Sequence, residues 1–76
     1  MVPTDALVNK LRSLGFEFKR QADRVNIYKQ RGSTLMAAVR RRDLQDEDAA
    51  RSILKMAGVP PEEITQFIDS VRTSKH

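Results

Sequence analysis

Three stretches of the chain repeat apolar residues at helical spacing, and between the first two lies a stretch that alternates with a period of two. Leu7, Leu11 and Leu14 recur at i, i+4 and i+7 with Val8 beside them, which predicts an amphipathic helix that ends at Gly15. Thr4 stands where an N-cap is expected, and Asp5 follows in the first turn, where a carboxylate complements the helix dipole. Phe16-Glu17-Phe18-Lys19 then alternates apolar and charged, as a strand with one buried face does. Gln21-Ala22-Asp23 reads as a turn, and Arg24 to Gln30 as a second strand with Val25 and Ile27 on one side and Asn26 and Tyr28 on the other. A turn at Gln30-Arg31-Gly32-Ser33 leads to a third strand, Thr34 to Val39. Connections this short suit an antiparallel meander.

Beyond residue 42 the helical period returns. Asp43 and Asp46 are candidate caps, with Glu47 and Asp48 in the first turn; Ala50, Ile53, Leu54 and Ala57 share a face, and Gly58 stops the helix. Pro60-Pro61-Glu62-Glu63 opens a last helix whose stripe is Ile64, Phe67, Ile68 and Val71. The predicted architecture is α+β in the order α-β-β-β-α-α, a three-stranded antiparallel sheet with helices packed on one face. The Phe16, Phe18, Val25 and Ile27 face is expected to be covered and the Lys19, Asn26, Tyr28 and Met36 face more open. The whole of 1–76 reads as one domain, ordered over about 4–72, with Thr73 to His76 expected to fray.

Charge sharpens this picture. Residues 10 to 42 carry ten Lys or Arg against two acids, a net +8, whereas 43 to 76 carry −3, within a chain total of +4 and a pI near 10.0. The basic middle makes a polyanion the first partner class to consider. The chain has no Cys, so neither a disulfide nor a thiolate metal site can staple it. No apolar run reaches the ~20 residues of a membrane span, and no signal-peptide core is visible, so a cytoplasmic protein without a membrane partner is expected.

Several chemistries find no footing. The carboxylates Asp43, Asp46, Glu47 and Asp48 sit at a predicted helix start, where capping explains them more simply than metal ligation, and no cofactor or metal is expected. Gly32 alone makes no phosphate loop, and Ser33 and Ser52 have no His to activate them. The two C-terminal helices invite a helix-turn-helix reading, but the second opens with two prolines and two acids, at the end that would approach phosphates. What remains is binding: Arg40, Arg41 and Arg42 to grip phosphates, Lys19, Arg24, Lys29 and Arg31 on the sheet and its turns, and Tyr28 to stack on a base. Met36, with Tyr28 and Ala38, can instead form an exposed apolar patch for a protein partner or a second copy.

Leu11-x-x-Leu14-Gly15-Phe16, the basic strand after it, Arg51-Ser52-Ile53-Leu54-Lys55-Met56-Ala57-Gly58-Val59 and Glu62-Glu63-Ile64 together resemble the HicA-like family of small toxins, over about Leu7 to Ile68. That resemblance implies a double-stranded-RNA-binding-domain-like fold, cleavage of messenger RNA and an antitoxin partner. The family's chemistry rests on Gly-Ser-His at the start of the second strand. Here Asp23-Arg24-Val25 stand at those positions, and the chain's one His, His76, lies in the tail. The expectation is therefore non-enzymatic RNA binding. The alternatives are a protein-interaction module pairing with an antitoxin-like protein or with itself, and a ribonuclease working without His.

Overall fold

The computed structural model describes residues 1–72, so the expected fraying of Thr73 to His76 lies outside the described residues. The element order is β1 (Val2–Pro3), α1 (Thr4–Ser13), β2 (Phe16–Ala22), β3 (Val25–Gln30), β4 (Met36–Arg40), β5 (Leu44–Gln45), α2 (Glu47–Met56) and α3 (Pro61–Val71). The class is α+β, as expected. Strands β2, β3 and β4 form an antiparallel meander in that order, and β1 and β5 add a separate two-stranded pair. All three helices stand where the apolar stripes place them. Gly15 and Gly58 end α1 and α2 with φ of 92° and 90°, a conformation that costs an L-residue roughly 1–2 kcal/mol.

One core joins the layers. Leu7 and Leu11 of α1, Ala50 and Leu54 of α2, and Ile64 and Ile68 of α3 are buried against Phe16, Tyr28, Ala37 and Val39 of the sheet. Helix α1 packs on β2 and α2 on β4, while α3 lies on α2 and β1.

The phase of the sheet differs from expectation on β3. Its register sets Tyr28 opposite Ala37 and Asn26 opposite Val39, and these β4 residues are fully or almost fully buried. Tyr28 is 6% exposed and belongs to the core, whereas Val25 and Ile27 turn to the uncovered face and are only half-buried. The reason is steric and local. Both faces of β3 are partly apolar, and the small Ala37 leaves room for a ring that Val25 or Ile27 would not fill. Phe18 lies opposite Tyr28 on the covered side, yet it remains 52% exposed. The register slips between Phe18 and Arg20, so Lys19 is a bulge residue and Arg20, not Lys19, continues the open face opposite Ile27.

The caps also differ. Thr4 is the first residue of α1, and its hydroxyl donates to the Arg42 carbonyl rather than back into its own helix. Asp46 takes the N-cap position of α2 without a side-chain hydrogen bond, and Asp43 lies before β5, its carbonyl accepting from the Thr4 N–H at 2.9 Å. Helix α3 is clamped to the start of α2 by Arg72, whose Nε and Nη2 donate to the two Glu47 oxygens at 2.7 and 3.0 Å. That hydrogen-bonded pairing holds the Glu47 carboxyl below its ordinary value of 4.5. A carboxyl lowered by folding stabilises the fold above its unfolded pKa and loses that contribution as pH falls through the folded value. Glu47→Gln is therefore expected to lower the melting temperature at neutral pH and to leave it unchanged at a pH below both values, read by thermal unfolding across pH.

Candidate nucleic-acid interface

The basic residues separate into two ends of the sheet. At one end the two-residue turn Asp23-Arg24 meets the exit of β4. Arg24, Val25, Arg40 and Arg42 line a concavity of about 460 Å³ there, and among the described residues no carboxylate shares the lining, although Asp23 and Asp43 are near in sequence. Arg24 holds φ at 63°, the one non-glycine residue with positive φ among those described. An L-side chain in that region costs roughly 1–2 kcal/mol.

Arg41 does not join its neighbours in lining this concavity. Its Nη1 donates to the carbonyls of Ala22 at 2.7 Å and Val25 at 3.2 Å, and its backbone N–H donates to the Arg24 carbonyl at 3.1 Å. It staples the end of β4 to the β2–β3 turn and so brings Arg24 beside Arg40 and Arg42. The flanking carbonyls are held as well: Gln45 Nε2 donates to the Arg40 carbonyl at 2.8 Å and to Thr4 Oγ1 at 2.9 Å, and Thr4 in turn donates to the Arg42 carbonyl. Gln45 is the one buried polar residue of the described chain, at 2% exposure. Replacing it with Leu removes both of these hydrogen bonds, while the Thr4 hydroxyl keeps the Arg42 carbonyl and the Arg40 carbonyl keeps the Arg42 N–H at 2.9 Å. At about 0.5–1.5 kcal/mol for each bond lost, the expected cost is about 1–3 kcal/mol, measurable by denaturant titration.

At the other end, Lys29, Arg31 and Gly32 meet Glu17 and Lys19 around a hollow of about 300 Å³. Arg31 is ion-paired with Glu17 and so is partly neutralised. On the open face between the two ends, alternation and register place one cation per strand: Arg20 on β2, Lys29 on β3 and Arg40 on β4. They surround an apolar strip of Val25, Ile27, Ala38 and Met36, the last 45% exposed.

Of the eight residues expected to bind nucleic acid, the structure thus brings Arg24, Arg40 and Arg42 into one basin and leaves Lys29 and Lys19 exposed or half-exposed near the far end. It gives Arg41 a positioning role, pairs Arg31 with an acid, and withdraws Tyr28 from the open face into the core. Arg20 joins the open face through a bulge that period-two counting does not reveal. Among the described residues no cluster of His, Cys, Asp or Glu has the form of a metal site, and no helix is long and apolar enough to cross a membrane. Compared with models of known protein families, with curated proteins and with solved structures, the chain finds no match.

Proposed function

We propose that this domain binds RNA without cleaving it, anchoring phosphates in the basin of Arg24, Arg40 and Arg42. The observation that carries this reading is that basin itself: three guanidinium groups line one concavity free of carboxylates, on backbone pinned by Arg41, Gln45 and Thr4. Pinning matters because a fixed backbone keeps the roots of the three side chains together, so that less main-chain freedom is lost on meeting a phosphate. Arg24 supports the same reading. A glycine would relieve its left-handed backbone, and Arg is the costlier occupant of that turn. Arg20 and Lys29 extend the positive surface across the open face.

The resemblance to HicA-like toxins favours RNA over other polyanions. It sets Val25 at the position of that family's catalytic His, and Val25 lines the arginine basin. A valine there has no proton to give or take, which is the ground for binding without hydrolysis. Titration of a labelled single-stranded RNA, followed by gel recovery of the same RNA, tests both halves. Saturable, salt-weakened binding with full-length RNA recovered is the expected result; shortened RNA would make the domain a nuclease.

A second reading is supported by the apolar strip of Val25, Ile27, Ala38 and Met36. With a cation from every strand around it, that face suits an acidic, apolar segment of an antitoxin-like partner better than a second copy of itself, whose arginines would repel. Partner binding competing with RNA would support it.

A further inference from the structure

Behind the basin, on the helix-covered side of the sheet, a groove of about 450 Å³ runs between α1 and β3. Its floor is Asn26 and Tyr28, and its wall is Asp5, Val8, Asn9 and Arg12. We propose that this groove takes one unpaired nucleobase of the bound strand, preferring a base with an exocyclic amine such as adenine over uracil. The inference rests on the RNA-binding reading and specifies its ligand as single-stranded.

Three observations converge on it. First, Asn26 Oδ1 is buried with no hydrogen-bond partner, a state few native polar groups are left in. The last torsion of Asn is broad, so the carboxamide can turn toward a ligand at little cost and offer it one donor and one acceptor. Asparagine pairs in this way with the amine and ring nitrogen of adenine. Second, Asp5 on the opposite wall accepts hydrogen bonds only, which suits an amine and not the carbonyls of uracil. Third, Phe18 stands half-exposed beyond the groove. Its ring is fixed edge-on to Tyr28 at 5.8 Å and 76°, and it shares a further concavity of about 520 Å³ with Arg12. An exposed aromatic ring in a concavity that also holds a basic residue offers a stacking surface for a neighbouring base. Thr4, which lines the groove, ties it to the basin's backbone: its hydroxyl donates to the main-chain carbonyl of Arg42.

Affinities for oligoadenylate and oligouridylate of equal length, measured by fluorescence anisotropy at one salt concentration and then across salt, decide it. Wild type is expected to favour oligoadenylate by roughly tenfold, from one good amide–base pairing. Asn26→Ala is expected to bring that ratio near one without changing the salt slope, and Phe18→Ala to weaken both strands by roughly tenfold. Independently of any variant, the Asn26 side-chain amide signal of the wild-type protein should shift on adding oligoadenylate. Equal affinities in wild type, a preference that survives Asn26→Ala, or an unmoved Asn26 signal would overturn the groove. Salt-sensitive binding without base preference defeats this inference alone, whereas no salt-sensitive binding of either strand defeats the RNA reading beneath it.

Discussion

Tyr28→Ala is expected to unfold the domain or bring it to the edge of unfolding at room temperature. Tyr28 is buried at the centre of the sheet, against Ala37 and beside the Phe18 ring. Truncating a buried aromatic of this size costs about 3–5 kcal/mol, since the cavity left behind adds to the lost transfer energy. A chain of this length has a total stability on the order of 4–11 kcal/mol, so one such cavity removes a large part of it. Tyr28→Phe keeps the ring and is expected to fold with near wild-type stability. Circular dichroism melts of the two variants separate a core role from a stacking role. A Tyr28→Ala protein as stable as wild type would contradict the packing described above.

Replacing Arg24, Arg40 and Arg42 together with Ala is expected to weaken single-stranded RNA binding by roughly a hundredfold at ~0.1 M salt. Each phosphate neutralised on a single strand contributes a slope of about 0.7 in log affinity against log salt. Three contacts therefore contribute about two decades of affinity where the salt is one decade below the molar reference. Stability should hold, because all three side chains are exposed and, among the described residues, none of them makes a side-chain hydrogen bond like those that occupy Arg41. Arg41→Ala forms the informative contrast. It releases the staple to Ala22 and Val25, so it should weaken binding by loosening the basin while also lowering stability. A triple variant that binds RNA as wild type does would remove the basin from the interface.

The helices were legible in the chain because each combines an apolar stripe with a boundary signal, a glycine stop for α1 and α2 and a proline start for α3. Leu7 and Leu11 before Gly15, and Ala50 and Leu54 before Gly58, leave no second face to choose. Strand β3 left the choice of face open. Val25 and Ile27 are more apolar than Asn26 and Tyr28, so alternation alone buries the wrong pair. Cross-strand fit to Ala37 and Val39 decides the matter, and no single strand carries that information. The bulge at Lys19 hides Arg20 in the same way, because one extra residue reverses the phase of everything after it. Strands β1 and β5 have two residues each, too few to show a period, yet Val2 is fully buried and Gln45 nearly so. The basic character of 40 to 42 was evident from composition. That its middle arginine would turn inward to backbone carbonyls depends on a contact 16 to 19 residues away in sequence.

The Val25 position gained meaning from this geometry. Read as a strand residue it belonged to the core; in the structure it is the one apolar member of the basin lining. Valine supplies no group to move a proton, in keeping with the proposed binding without hydrolysis.

The salt dependence of affinity for a short single-stranded RNA, compared between wild type and the Arg24, Arg40 and Arg42 triple variant, tests the central claim most directly. Three phosphates held in the basin predict a log–log slope of about −2 or steeper in wild type, shallower by about 2 in the variant. Identical slopes in the two proteins, or an RNA affinity indifferent to salt, would contradict it.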